Sequence, residues 1–167
     1  MQLILPTEKF QESYISYIKE LGNEERYPFP LDFEYADFLG LLKKLDNYAK
    51  GIAIPNDAVP STTYWLMQND EIIGVTNLRH FLNQQITFCG GHIGLGIRPS
   101  YRGKGFGHIL MEKSIHQLNA MGVEAIHIHC YKENLASSAI IIANGGELAT
   151  EFSDNDKIIQ RFVVGQV

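Results

Sequence analysis

Cysteine is scarce in this chain. Only Cys89 and Cys130 occur among 167 residues, and they are far apart and outside any CxxC spacing. That excludes a disulfide framework, and both read as small buried side chains of a reducing compartment. No stretch approaches the ~18 apolar residues of a membrane-spanning helix, so no membrane partner is expected. Met1–Phe10 lacks a basic region followed by an apolar one, so no signal peptide is expected and the cytoplasm is the default location. Repeats and low-complexity tracts are missing as well. Positive charge is in deficit: 14 Lys+Arg against 19 Asp+Glu leave a formal charge of -5. A domain-wide footprint for nucleic acid is therefore absent.

One absence is local. No Asp or Glu occurs from Ile72 through Met111, a run of 40 residues that carries Arg79, Arg98, Arg102 and Lys104. Residues 1–60 show the opposite bias, with ten acids against six bases. An acid-free basic segment in an acidic protein suits an anionic ligand, or a buried sheet that keeps carboxylates out.

The remaining composition, 45% hydrophobic, suffices for a core. The length fits one domain, 1–167, in which 1–60 form a helical arm and 61–167 a core. Gln2–Leu5 reads as an edge strand, and Thr7 as the cap of a helix carrying Phe10, Tyr14, Tyr17, Ile18 and Leu21. Tyr27-Pro28-Phe29-Pro30 reads as an extended connector. A second helix follows with Phe38, Leu41, Leu42 and Leu45 on one side. Thr62–Met67 and Glu71–Leu78 form a hairpin around Gln68-Asn69-Asp70. After a polar link, Asn83–Gly91, come a strand at His92–Ile97, a helix at Gly105–Met121 and a strand at Ala125–Cys130. A helix capped by Asn134 and a final hairpin, Glu147–Phe152 with Ile158–Val164, complete a mixed α/β order.

The chemistry concentrates in Ile97-Arg98-Pro99-Ser100-Tyr101-Arg102-Gly103-Lys104-Gly105-Phe106-Gly107, between a strand and a helix. Glycines let backbone approach a ligand, and free N–H groups and the dipole at the helix start favour an anion. Arg102 and Lys104 add charge. A GxxxxGK[ST] phosphate loop is not matched, and a GxGxxG fingerprint fails because the third glycine comes one position early. The plain structural alternative is a tight strand-to-helix turn. It accounts for one or two glycines but not for three alternating ones with two cations and a preceding proline.

The segment resembles motif A of the GNAT family of N-acetyltransferases, whose pattern is Arg/Gln-x-x-Gly-x-Gly/Ala after a strand ending in proline. Arg102, Gly105 and Gly107 occupy those positions, and Pro99 precedes them. Asn134 follows the next strand where the family places an Asn near the pantetheine arm. The run Gly91–Pro99 and Asn144-Gly145-Gly146 resemble a bacterial subgroup of unassigned substrate. The resemblance covers Ser61 to Val164, with 1–60 as the family's variable arm. It implies an α+β fold: a central mixed, mostly antiparallel sheet of six or seven strands with a V-shaped splay, flanked by about four helices.

It further implies acetyl-CoA as co-substrate, held by Leu95, Ile97, Arg102, Gly103, Lys104, Gly105, Phe106, Gly107, Asn134 and Ser137. A primary amine of a small molecule or peptide would attack directly in a ternary complex, with a main-chain N–H near Ile97 stabilising the oxyanion. His92 is the first candidate for the base, with His80, His127 and His129 as alternatives. Where relatives carry a Tyr acid, counting from Asn134 gives Ile141. Tyr101, Tyr131 or water could substitute, or the chain could be a non-catalytic acyl-CoA-binding or regulatory module. His127 and His129 share a strand face next to Cys130, but further ligands are lacking and no metal is expected. Tyr27, Phe29, Phe33 and Tyr35 line an acceptor pocket or pack a core. Relatives often pair, so a homodimer is a further expectation.

Overall fold

The computed structural model describes residues 1–165. Its strands are β1 (Gln2–Ile4), β2 (Ser61–Gln68), β3 (Glu71–Arg79), β4 (Ile93–Ile97), β5 (Ile126–Tyr131), β6 (Glu147–Asp154) and β7 (Lys157–Val164). The helices are α1 (Gln11–Leu21), α2 (Phe38–Lys50), the five-residue α3 (Gln84–Phe88), α4 (Phe106–Ala120) and α5 (Leu135–Ala143). Among the described residues no helix is long and apolar enough to cross a membrane.

The strands form two sheets, ordered β1-β2-β3-β4 and β5-β7-β6, and each pairing within them is antiparallel. The implied splay is thus a division into two sheets. They touch through one bridge, Gly91 opposite Ile128. Beside it the His92 N–H donates to the His127 carbonyl at 2.7 Å. Beyond that point β4 and β5 part.

Alternation in β2 builds a core on each face of the first sheet. Trp65 and Met67 join Tyr14, Tyr17 and Ile18 of α1 and Phe38, Leu41 and Leu45 of α2. Leu66 faces the other way, with Ile73 and Leu110 of α4. A third cluster crosses between the sheets: Leu78 and Ile93 meet Met111, Ile115 and Leu118 of α4 and Ile126, Ile128 and Phe162 of the second sheet. Residues 1–60 are therefore an integral layer, not an appendage. The hairpin turn is closed by Asn69 and Asp70 at φ 49° and 60°, which short polar side chains tolerate.

Four local expectations change. Thr7 makes no side-chain cap; the chain enters α1 through a 3-10 turn at Glu8–Phe10. The Tyr27–Pro30 connector is not extended throughout. A 3-10 turn occupies Phe29–Asp32, where Pro30 loses no bond because the first N–H groups of a helix lack partners anyway. The polar link contains α3, capped by Asn83, whose side-chain oxygen accepts the Ile86 N–H at 2.9 Å. Cys89, just past α3, is exposed rather than buried.

Candidate active site

β4 pairs with β3 along one edge only. Arg98 N–H donates to Ile73 O at 2.9 Å. Antiparallel alternation then sends the polar groups of Gly94 and Gly96 toward β3, and those of Leu95 and Ile97 toward the free edge. The Ile97 carbonyl indeed faces the loop beyond the strand, where it accepts Arg102 Nε–H at 3.0 Å. The side chains of Leu95 and Ile97 pack toward Leu110. An unpaired strand edge thus lines one wall of the wedge, able to pair with an extended amide-bearing ligand.

At the open end lies the start of α4. Gly103 and Gly105 have φ of +72° and +83°, and a Cβ built on either meets nothing within 4 Å. Neither glycine is there to relieve packing. They supply a left-handed backbone and leave open space over the first turn of α4, which has no side-chain cap and no acid. Those features fit a pyrophosphate. Gly107 serves differently: a Cβ there would stand 2.7 Å from Ile140 Cδ1, so it lets α4 and α5 approach. Phe106 packs on Tyr101 with ring centroids 5.8 Å apart. Lys104 Nζ donates to Ser100 O at 2.8 Å. Arg102 pairs with Glu24 at 2.7 Å.

The two other cations of the acid-free segment have other tasks. Arg98, 8% exposed, lies against α1, where it pairs with Glu20 and donates to Ser16 Oγ at 2.9 Å. Arg79 sits near the seam and donates to Gly91 O at 2.9 Å.

Asn134 caps α5, its side-chain oxygen accepting Ser137 N–H at 3.1 Å. Ile141 is 1% exposed and belongs to the core shared by α4 and the second sheet. Tyr101 donates to Glu71, on the far side of the cradle. Tyr131 lies at the end of β5 under Lys157, whose Nζ is 4.3 Å from the ring centre.

The histidines stitch the seam. His92 Nδ1 accepts the His127 N–H at 2.9 Å, and His129 Nδ1 accepts the Gly90 N–H at 2.9 Å. Each neutral ring therefore carries its proton on Nε2. Burial is the first cause that lowers both to a pKa of about 4, and His127 and the Arg79 guanidinium lower them further, with Arg161 added for His129. His80 bonds Thr62 Oγ1 through Nε2 at 2.8 Å, apart from the seam. Among the described residues no three His, Cys, Asp or Glu side chains converge as a metal set would.

A pH dependence follows. The folded rings bind protons more weakly than the usual 6.5. Their contribution to stability is therefore complete above pH ~6.5 and is lost as pH falls toward about 4. Urea midpoints should drop across that window. Replacement of both rings by Asn, which keeps an acceptor but does not titrate, should flatten the drop. An equally steep profile in the double variant would remove these rings as its source.

On the face of β4 opposite α4 lies the connector between α1 and α2. A Cβ on Gly94 would meet Pro28 Cβ at 3.1 Å and Tyr27 Oη at 3.2 Å; one on Gly96 would collide with the Tyr27 carbonyl oxygen. The two glycines let this connector lie flat on the strand. Next to it, Glu24, Glu25, Arg26, Phe29, Asp32 and Phe33 line an open groove of about 540 Å³. Phe29, Phe33 and Tyr48 pack there as a cluster. Glu34 is not free to join the groove's acids, because its carboxylate accepts the N–H groups of Tyr35 and Ala36. Of the aromatic run, Phe29 and Phe33 line this groove, Phe33 and Tyr35 also pack against the core under α1 and α2, and Tyr27 lies on β4, a position that nothing in the sequence pairs with residue 94.

Known proteins resemble this chain in family pattern and in fold. The model of the acetyltransferase (GNAT) family matches residues 17–140. No curated protein matches the sequence. Among solved structures, the ribosomal-protein-S5-alanine acetyltransferase of Vibrio fischeri aligns with TM-score 0.72 at 13% identity, over 98% of this chain and 92% of that one. A variant of the spermidine N-acetyltransferase of Vibrio cholerae aligns with TM-score 0.68 at 13% identity, over 99% and 95%. A GNAT-family acetyltransferase of Streptococcus pneumoniae aligns with TM-score 0.64 at 13% identity, over 98% and 99%. At such identities these structures speak for the fold alone. The family match spans most of the chain, and the cradle falls inside it: the protein belongs to the GNAT family of acetyl-CoA-dependent N-acetyltransferases.

Proposed function

We propose that the protein transfers an acetyl group from acetyl-CoA to a primary amine that enters along the groove of the α1–α2 connector. The observation that carries this reading is the pair of positive-φ glycines, 103 and 105, facing open space at the mouth of the wedge. When bound, the donor supplies a thioester; the rest falls to this chain. The first N–H groups of α4, with Gly103, Gly105 and Phe106, hold the pyrophosphate, aided by Arg102 and Lys104. Leu95 and Ile97 orient the pantetheine arm through their edge N–H and C=O groups, and one of those N–H groups faces the thioester oxygen. Asn134 and Ser137 border the arm from α5. We assign His92 to the seam rather than to proton abstraction, because its Nδ1 lone pair is occupied and its Nε2 carries a proton.

With Glu24 paired to Arg102, Glu25 and Asp32 still outnumber Arg26 along the groove, which suits a cationic acceptor. An E25Q/D32N variant should raise the KM for a polyamine severalfold at low salt and much less at ~0.5 M salt, where exposed charges are screened. A KM unchanged at low salt would remove these carboxylates from acceptor binding.

The function itself is tested by calorimetry with coenzyme A and by thiol release from acetyl-CoA. The amine panel would include spermidine and an alanine-terminated peptide, after the names of the structural neighbours. Binding with turnover supports acetyl transfer. The burial of Ile141 where relatives carry a hydroxyl favours one alternative, a binding module without chemistry; tight binding with no turnover on any amine would establish it.

A further inference from the structure

We propose that Tyr27 is the general acid of this enzyme, its hydroxyl returning a proton to the donor's sulfur as the thioester breaks. The inference rests on the acetyl-transfer reading above. It follows from where the wedge ends. The two sheets are tied at Gly91, His92 and His127. They diverge toward Ile97, where the cradle begins. An arm laid along β4 from the cradle therefore runs toward the seam and stops short of it, which puts its reactive end beside Gly94.

Tyr27 is what stands there. Its Oη lies 3.2 Å, and its Cζ 3.4 Å, from the position of a Cβ on Gly94. The groups whose charge acts on the hydroxyl are Arg79 and Cys89 near the seam, Glu25 of the groove and Tyr131 of β5. The residue is 46% exposed, with its Oη turned onto Gly94. Burial is the first cause that raises its pKa, Cys89, Glu25 and Tyr131 add to the rise, and the Arg79 guanidinium opposes it. The phenol thus holds its proton at neutral pH, and a cation stands by to stabilise the phenolate.

At the position counted from Asn134 α5 offers Ile141, packed in the core; Tyr101 is bonded to Glu71, and Tyr131 lies at the end of β5 away from the seam, under Lys157. Arg79 has no carboxylate within ion-pair distance among the described residues. Its guanidinium is held by Gly91 O at 2.9 Å and lies over the Phe29 ring at 5.8 Å. A desolvated, unpaired guanidinium beside a phenol is costly unless negative charge develops nearby.

In the step, the acceptor nitrogen bonds to the acetyl carbon and the carbon–sulfur bond breaks with its electron pair on sulfur. The phenolic proton moves to sulfur. The phenolate then takes back the proton that the acylated nitrogen gives up, so Tyr27 is regenerated.

The first test needs no acceptor. Thiolate absorbance of the coenzyme A complex, read against the desulfo-coenzyme A complex, gives the pKa of the bound thiol. In the wild-type protein it should lie about one unit below the ~8.5 of a free thiol, because the hydroxyl donates to the thiolate. In Y27F it should return to ~8.5 or above, with coenzyme A affinity unchanged by calorimetry. The same titration in both proteins would overturn the inference and leave the acetyl-transfer reading intact. Failure of the wild-type protein to bind coenzyme A would overturn that reading and the inference with it. The second test is kinetic. With the best amine of the panel, Y27F should lose about tenfold or more in kcat with little change in the KM for acetyl-CoA. Equal kcat in the two proteins would also overturn the inference.

Discussion

Replacing Gly105 with glutamate should raise the dissociation constant for coenzyme A by about 100-fold or more, a loss of ~2.7 kcal/mol, while the chain stays folded. Gly105 is at φ +83° and a Cβ there points into open space. The Cβ of a new side chain therefore meets no protein atom, and the cost at that atom is backbone strain, about 1–2 kcal/mol for a residue with a Cβ. Its effect falls on the ligand, because a carboxylate would stand over the first turn of α4 where a pyrophosphate needs unobstructed N–H groups. Gly105→Ala separates the causes, carrying the strain without the charge. Circular dichroism and calorimetry with coenzyme A check both. A folded G105E with unaltered affinity would remove the cradle from the site.

Gly96→Ala should do the reverse, sparing the donor and crippling the acceptor. The added methyl would overlap the Tyr27 carbonyl oxygen, a backbone atom that cannot rotate away. The connector must lift from β4, carrying Tyr27 and the groove with it. Overpacking of this kind costs ~1–3 kcal/mol of stability. With Tyr27 displaced from Gly94, kcat/KM for the amine should fall about 100-fold, since ångström-scale misplacement has that cost. Coenzyme A affinity should stay within about threefold, because the added methyl enters the face of β4 that carries the connector, opposite the face that packs toward α4 and the cradle. Steady-state kinetics over both substrates decide it. Unchanged amine kinetics would mean that the connector does not shape the acceptor side.

The cradle was legible because it is local. Strand, proline, alternating glycines and helix follow one another within the run Ile97–Gly107, and each has a backbone reason to be there. The hairpins and helices were legible for the same reason, through period and turn chemistry. What could not be read was pairing across the chain. Arg98 looks like a third cradle cation, but strand alternation turns it to the opposite face, against Glu20 of α1. The acids of residues 1–60 look like a uniform negative wall. Instead Glu20 and Glu24 pair with Arg98 and Arg102, Asp37 caps α2, and Asp46 pairs with Lys50. His92 looks like a free base at a strand start, but a single backbone N–H from β5, 35 positions away, occupies its lone pair. Tyr27 looks like packing, because its meeting with Gly94 depends on how α1 and α2 seat on the first sheet.

The core beneath α4 joins residues of both sheets, whereas the core under α1 and α2 draws its strand residues from the first sheet. The tie at Gly91, His92 and His127 makes the seam the pivot of any opening, with the β5-β7-β6 sheet as the leaf. Opening of the wedge would then be a rotation of that leaf rather than a translation. Displacement should grow with distance from the seam, from His127 toward Tyr131 and Asn134. The aperture can widen to admit a long, flexible donor while the geometry near Gly94, close to the pivot, stays nearly fixed.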